Sequence, residues 1–265
     1  MLRRSFLAGL TVLPALPLVA HAAGTSLNIG IYPGTGKADI LTGDFRAYAM
    51  PFADALGSAV NAQPKLTLFR SIRSVMNSLK SGRLDLYFVP PSVAVAVLDN
   101  DYSPIARVHD QATGVLVRRK GATVTAVALT EKESWLDVMA RHTLKKNKIN
   151  AVKIFNFKAQ DDVALAIERD YAQAGSLRSS LANKLIEKGL VEIWYPLPTT
   201  PDFTLMATNR LSPAEQSKLG AAAAGLSQSA IESLQKTIHS KVTGFVIDKE
   251  ADYKIIKQAM TEAGY

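Results

Sequence analysis

The chain has 265 residues, of which 48% are hydrophobic and 20% are charged, a composition typical of a folded protein and unlike that of a disordered or collagen-like chain. It contains no cysteine, which excludes disulfide scaffolds, thiolate metal sites and cysteine nucleophiles. The formal charge of +8 is moderate, and the basic residues of the chain are scattered along the sequence. We therefore do not predict nucleic acid as a partner.

The first residues have the pattern of an export signal. A short basic start, Met1–Arg4, precedes an apolar stretch, Ser5–Ala20, which is interrupted by prolines. Small residues then stand at Ala20 and Ala22, the spacing of a cleavage site. We therefore predict a signal peptide over 1–22 that is cleaved near Ala22, with no stable membrane insertion afterwards. A membrane anchor is the alternative interpretation. Arg3 and its neighbours also resemble the core of a twin-arginine signal, so the export route stays open.

Strand and helix patterns alternate over the first part of the remaining chain. Apolar runs predict strands over 26–32, 65–69 and 84–89, and helical spacing predicts helices over 44–58 and from Ser71, a candidate cap, to Gly82. Short connections between alternating strands and helices favour an α/β fold with a mainly parallel sheet.

The middle of the chain predicts a second unit of similar build. Predicted strands cover 104–108, 113–118, 123–129, 152–157 and 190–195, and predicted helices cover 130–148, 161–172 and 177–188. The first of these helices is predicted to begin at Thr130, because Thr130 and Glu133 match a capping box. The proline-rich segment 196–201 is the predicted linker to a last strand over 203–208 and to the C-terminal helices.

Motifs of catalysis are missing from the sequence. It contains no G-x-S-x-G elbow, no H-E-x-x-H pair, no Walker A loop and no G-x-G-x-x-G turn, and its four histidines are not spaced as metal ligands. We therefore predict no enzymatic activity, no metal and no cofactor. Trp135 and Trp194 are interpreted as packing residues, and a platform for a substrate is the alternative.

Several segments resemble the phosphate/phosphonate-type (PhnD-like) periplasmic solute-binding proteins of ABC transporters. The resemblance lies in Ile29–Pro33, in the segment Ser78–Pro91 with its Gly82 and Asp85, in Pro104–Arg107, in Glu192–Asn209 with Leu211–Glu215, and in Gly244–Phe245 with Asp252–Tyr253. These segments follow the family's order over nearly all of the chain that remains after residues 1–22.

The resemblance implies a type II periplasmic-binding (Venus-flytrap) fold, in which two lobes are joined by two crossovers. Lobe 1 would comprise 25–109 plus 203–265, and lobe 2 would comprise 113–198. The ligand would bind between the lobes, at loops after strands and at helix N-termini, as general rules for open sheets also indicate.

The predicted function is capture of a small polar ligand, a phosphonate or another oxyanion, in the periplasm for delivery to an ABC permease. A monomer is expected. The candidate ligand contacts are Tyr32, Ser71, Pro91, Ser92, Thr130, Ser134, Lys158 and Gln160. Glu131 and Glu133 next to Thr130 disfavour an anion there, so the identity and charge of the ligand stay open. A periplasmic sensor domain with a protein partner, and an enzyme on the same fold, are the alternatives.

The signal-peptide prediction is tested by N-terminal sequencing of the exported protein. We expect the chain to begin near Ala23 and to be recovered in the soluble periplasmic fraction, because cleavage after Ala22 removes the apolar stretch. Retention of Met1 in a membrane fraction would contradict the prediction. Replacing Arg3 and Arg4 by lysine stops export only if the route is twin-arginine-dependent.

Overall fold

The computed structural model describes residues 25–34, 39–238, 240–248 and 253–265. The predicted signal peptide, 1–22, lies outside the described residues. The helices are α1 (Thr42–Ala59), α2 (Ile72–Ser81), α3 (Pro91–Leu98), α4 (Trp135–Lys146), α5 (Gln160–Glu168), α6 (Ser179–Glu187), α7 (Pro213–Ala224), α8 (Gln228–Gln235) and α9 (Lys254–Ala263). Among these described helices, none is long and apolar enough to cross a bilayer.

Each of two lobes is built on one sheet. The six-stranded sheet of the first lobe has the order β13-β4-β12-β3-β1-β2, with β1 (Ser26–Ile31), β2 (Gln63–Leu68), β3 (Leu86–Val89), β4 (Tyr102–Val108), β12 (Thr204–Thr208) and β13 (Phe245–Val246). The five-stranded sheet of the second lobe has the order β10-β6-β9-β7-β8, with β6 (Gly114–Arg119), β7 (Ala126–Leu129), β8 (Lys153–Asn156), β9 (Ala174–Arg178) and β10 (Val191–Pro196).

Both sheets are mixed, whereas the sequence predicted mainly parallel strands. β1 pairs in parallel with β2 and β3, and β7 pairs in parallel with β8 and β9, as expected where helices connect successive strands. β12 is antiparallel to β3 and β4, and β6 is antiparallel to β9 and β10. The antiparallel strands lie next to the points where the chain passes between the lobes.

The chain crosses between the lobes along two adjacent segments. They contain β5 (Gln111–Ala112) and β11 (Thr200–Pro201), which form a short antiparallel ladder of their own. The proline-rich segment that was predicted as a linker is therefore one half of a two-stranded connection. The predicted α/β architecture with two lobes and two crossovers is confirmed.

The lobes are in contact, because one apolar core continues across them. Val93 of α3 in the first lobe and Leu136 and Met139 of α4 in the second belong to the same buried cluster. The C-terminal helix α9 packs against both α3 and α4. It supplies Ile256 and Ala259, which are fully buried, to that cluster.

The prediction that α4 begins at Thr130 is wrong. The helix begins after Ser134, whose hydroxyl accepts a hydrogen bond from the amide of Asp137 at 3.3 Å. Residues 130–133 form a loop, since Glu133 has a φ of 66° in the left-handed region, which an α-helix excludes. The cap is thus four residues later than the sequence pattern indicated.

The prediction of a helix over 177–188 is also wrong for its first residues. Residues Ala174–Arg178 form β9, and α6 begins at Ser179. β9 is the central strand of its sheet, and Gly175 lies where a Cβ would come within 2.7 Å of the Val163 side chain and 2.9 Å of the carbonyl oxygen of Ala128. A buried strand with glycine at a close approach has a weak sequence signal, because glycine lowers strand propensity.

A buried carboxylate ties α4 to its neighbours. Asp137, which is fully buried, accepts hydrogen bonds from Arg141 Nε at 2.9 Å, from Asn156 Nδ2 at 2.7 Å and from the Tyr265 hydroxyl at 2.6 Å. These partners come from α4, from the end of β8 and from Tyr265, two residues after the end of α9. The Asp137 network therefore holds three separate chain segments together.

We expect Asp137→Ala to lower the free energy of unfolding by about 1.5–3 kcal/mol, because the hydrogen bonds to a buried carboxylate are lost while its donors, which are partly exposed, can turn to solvent. Chemical denaturation measures the loss. The matched control is Asp99→Ala, since the Asp99–Lys257 pair is 60% and 44% exposed and such pairs contribute about 0–1 kcal/mol. Equal losses for the two variants would contradict the role assigned to the network.

Candidate functional site: the interlobe cleft

A small cavity of about 30 Å³ lies between the lobes, with room for a compact group only. Its walls come from both lobes and from the segments that connect them. The lining residues are Tyr32, Pro33, Gly34, Ile72, Pro90, Ser92, Val93, Ser134, Trp135, Leu136, Gln160, Arg178, Phe203 and Ser240.

The amino-terminal ends of four helices reach this cavity. Ile72 is the first residue of α2, Ser92 is the second residue of α3, and Gln160 is the first residue of α5. Ser134 and Trp135 are the cap and first residue of α4. First-turn amides lack acceptors within their own helix, and the helix dipole makes this end positive. Four such ends around one cavity favour a bound anion or the negative end of a polar group.

Two serine hydroxyls at the cavity have no hydrogen-bond partner among the described residues. Ser92 is 1% exposed and Ser240 is 5% exposed, and both Oγ atoms are buried. A buried hydroxyl without a partner costs free energy, so such groups are uncommon in folded proteins and occur at functional sites. Both hydroxyls are available to donate to, or accept from, a bound molecule.

Tyr32 and Glu131 join the two lobes across the cleft. The Tyr32 hydroxyl donates to Glu131 Oε2 at 3.2 Å. Burial first, and then the charge of Glu131, raise the pKa of Tyr32 far above its ordinary value, so the hydroxyl stays protonated and remains a donor. One oxygen of Glu131 thereby already has a protein donor.

Arg178 and Trp135 line the cavity together, and Asp202 holds Arg178 from behind. The guanidinium of Arg178 donates to both carboxylate oxygens of Asp202, at 3.2 Å each, and lies 4.4 Å from the ring centre of Trp135. The indole Nε1 donates to Thr200 Oγ1 at 2.9 Å. The Arg178 and Asp202 side chains are 16% and 3% exposed, and paired burial of this kind fixes the direction of the guanidinium.

Four of the eight candidate ligand residues line the cavity, namely Tyr32, Ser92, Ser134 and Gln160. Ser134 and Gln160 also have partners within the protein. Ser134 Oγ lies 2.7 Å from Thr130 Oγ1, and Gln160 Oε1 accepts from the amide of Arg178 at 3.2 Å. Among the described residues, these contacts leave Ser92 as the candidate that lines the cavity with no partner for its side chain.

The other four candidates lie outside the cavity lining. Ser71 caps α2 by accepting from the amide of Ser74, Pro91 is the first residue of α3, and Thr130 is fully buried beside Ser134. Lys158 forms an exposed ion pair with Asp39 at 2.8 Å. Ser71, Pro91 and Thr130 therefore support the helix ends that surround the cavity.

Among the cavity residues that the sequence did not indicate as ligand contacts, three have hydrogen-bonding side chains, namely Trp135, Arg178 and Ser240. Arg178 is the last residue of β9, which the sequence assigned in part to a helix. A strand assignment would have placed Arg178 at the carboxyl end of a strand, where ligands bind in open sheets. Trp135 was interpreted as packing, and it is indeed 2% exposed. No sequence signal points to Ser240.

This fold and cleft are those of type II periplasmic binding proteins. A solved structure from Xanthomonas citri, XAC2383 bound to ATP, superposes with a TM-score of 0.73 at 13% identity, covering 91% of this chain and 97% of that one. PhnD1 from Prochlorococcus marinus, in complex with methylphosphonate, gives a TM-score of 0.71 at 14% identity, with 91% and 98% coverage. The phosphonate-transporter binding protein PA3383 from Pseudomonas aeruginosa gives 0.65 at 14% identity, with 91% and 87% coverage.

The model of the family described as "ABC transporter, phosphonate, periplasmic substrate-binding protein" matches residues 44–253. The chain belongs to this family of periplasmic substrate-binding proteins, which bind small molecules and work with an ABC permease. The resemblance seen in the sequence is confirmed. A search of curated proteins gave no significant match.

The Tyr32–Glu131 contact predicts a dependence on pH. Burial first, together with the charge of Glu133, raises the pKa of Glu131 above its ordinary value of 4.5. The folded protein therefore keeps this proton at a pH where the unfolded chain has lost it, and stability contributed by Glu131 is lost as the pH rises through the raised pKa.

We expect Glu131→Gln to remove this loss, because the amide oxygen still accepts from Tyr32 and does not ionise. In thermal melts from about pH 4 to about pH 7, the variant should gain stability relative to the wild type as the pH rises. Glu187→Gln, at an exposed position on α6, is the control and should follow the wild type. Parallel pH profiles for all three proteins would refute the assignment.

Proposed function

We propose that this chain is exported to the periplasm and captures a ligand bearing a tetrahedral phosphorus oxyanion in the interlobe cleft, for delivery to an ABC permease. The observation that carries the proposal is the convergence of the amino-terminal ends of α2, α3, α4 and α5 on one small cavity that also contains the unpartnered hydroxyl of Ser92. Amide donors and positive helix ends suit a compact group with several negatively charged oxygens.

The ligands of two similar structures support this class. One of the similar proteins holds methylphosphonate and another holds ATP, and both molecules carry phosphorus bound to negatively charged oxygens. Their sizes differ greatly, so the shared feature is the oxyanion. We infer binding without chemical conversion as the activity of this chain.

The proposed roles of the candidate residues follow their positions. Ser92, Ser134 and Gln160 would contact the oxyanion, together with the first-turn amides of their helices, and Tyr32 would contact it from the first lobe. Lys158 would act on closure through its ion pair with Asp39, and because that pair is 65% and 82% exposed the effect would be small. Ser71, Pro91 and Thr130 would hold the helix ends in place.

We also propose the domain organisation predicted from the sequence: a signal peptide over 1–22, lobe 1 over 25–109 plus 203–265, and lobe 2 over 113–198. The strands of the two sheets fall within these ranges, and the β5–β11 ladder lies at their borders. A monomer without stable membrane insertion would be the working form, delivering its ligand through an encounter with the permease.

Calorimetric titration with methylphosphonate and with inorganic phosphate tests the proposed ligand class, using wild type and Ser92→Ala. We expect Ser92→Ala to weaken binding by about 10- to 150-fold, the effect of losing one hydrogen bond to a charged group. The melting temperature of the free protein should stay unchanged, since the deleted hydroxyl has no partner among the described residues.

Ser217→Ala makes the same chemical change at an exposed position on α7 and is the control. It should leave both the affinity and the melting temperature at wild-type values. The proposal is wrong if neither anion binds, or if Ser92→Ala binds them as tightly as the wild type does.

A further inference from the structure

A second, larger space adjoins the small cavity. It is a groove of about 890 Å³ beside the two crossing segments. Arg178 and Ser240 line both spaces, so the cavity and the groove meet at these two residues. The groove is far larger than a phosphate or methylphosphonate group requires, and it begins where such a group in the cavity would end.

Three charged side chains along the groove, Arg107, Asp110 and Arg178, have partners within the protein. Arg178 is paired with Asp202, and Arg107 is paired with Asp248, with Nε 2.5 Å from the carboxylate oxygen. Asp110 accepts from the amide and the hydroxyl of Thr243, and these bonds, aided by the charge of Lys241, keep its pKa below the ordinary value against the effect of burial. The groove therefore offers no concentrated positive field to a second anion.

Neutral polar side chains make up much of the remaining lining. They are Gln111, Thr113, Ser179 and Ser180, which carry an amide and three hydroxyls. These groups both donate and accept hydrogen bonds, which is the property needed to bind hydroxyl groups of a ligand. Gln111 and Thr113 belong to one crossing segment, and the two serines begin α6, so the groups face the groove from two elements.

Ser240 gives an independent indication of a ligand at the junction. Its side chain is 5% exposed and its Oγ has no partner among the described residues. Its backbone carbonyl is held by Gln235 Nε2 at 2.6 Å, so the residue is fixed in place while its hydroxyl stays unpaired. An oxygen that joins a group in the cavity to a substituent in the groove would satisfy this hydroxyl.

We propose that the ligand is a phosphate monoester or a substituted phosphonate with a hydroxyl-rich extension, such as a polyol or a sugar. The oxyanion occupies the small cavity, and the extension passes Arg178 and Ser240 into the groove, where Gln111, Thr113, Ser179 and Ser180 bind its hydroxyls. This inference rests on the proposed function and adds the chemical class of the substituent to it.

The test is a calorimetric comparison of glycerol 3-phosphate and ribose 5-phosphate with n-butyl phosphate on the mature full chain. Glycerol 3-phosphate and n-butyl phosphate are of similar length and differ in the number of hydroxyl groups. We expect each hydroxylated ester to bind at least about 10-fold more tightly than n-butyl phosphate, because polar groups at the groove are left unpaired by the alkyl chain.

Groove variants then locate the effect. Ser180→Ala combined with Gln111→Ala should weaken the two hydroxylated esters about 10-fold and leave n-butyl phosphate and methylphosphonate unchanged. The control Ser217→Ala, on α7, should leave every probe unchanged. Both groove positions are exposed, so the double variant is expected to fold.

Each outcome decides between the two proposals. If methylphosphonate binds but n-butyl phosphate binds as tightly as the hydroxylated esters, the inference about the extension is wrong and the proposed function stands. The same holds if the groove variant leaves the preference for hydroxylated esters intact. If no phosphorus oxyanion binds, the proposed function itself is wrong.

Discussion

The short ladder between β5 and β11 constrains how the two lobes are placed relative to each other, and the site depends on that placement. The chain passes between the lobes twice, and because the two passages are hydrogen-bonded to each other, the lobes share one hinge and are not joined by two independent tethers. Rotation about such a hinge brings the same two surfaces together each time. The helix ends at the cleft are therefore presented to each other in a fixed arrangement, which a site made from both lobes requires.

The hinge also carries part of the site. Asp202 follows β11 directly and holds the guanidinium of Arg178, which leaves the end of β9 in the second lobe. Trp135 at the start of α4 contacts that guanidinium with its ring and donates its indole N–H to Thr200 of the ladder. The position of the ion pair is thus set by the hinge strand on one side and by the second lobe on the other.

The sequence predicted the first lobe better than the second, for a physical reason. Ser71 and Gly82 mark the ends of α2, because a serine that caps the start and a glycine in the left-handed region at the end act through local geometry alone. The start of α4 and the existence of β9 depend instead on tertiary contacts. Glu133 adopts a left-handed conformation that its residue type does not favour, and Gly175 is required by the close approach of Val163 and Ala128.

The candidate site was predicted in the same uneven way. Tyr32, Ser92, Ser134 and Gln160 were found because each follows a strand or begins a helix, and these are local patterns. Arg178 was missed because β9, the strand that it ends, was not predicted. Ser240 reaches the cleft only because the last part of the chain returns to it, and no local pattern could indicate that. The pairing of Lys158 with Asp39 likewise depends on an approach between residues 119 positions apart.

The position of α9 has a consequence for how tightly any ligand is held. This helix packs on α3 of the first lobe and on α4 of the second, and Glu262 and Tyr265 bond to His142 and Asp137 of α4. Opening the cleft separates α9 from one of the two lobes. The free-energy difference between the open and closed forms therefore includes the contribution of those contacts in addition to that of the ligand. Apparent affinity depends on the population of the closed form. A change where α9 contacts α4, such as at Glu262, would therefore alter ligand retention without altering any group that lines the cavity.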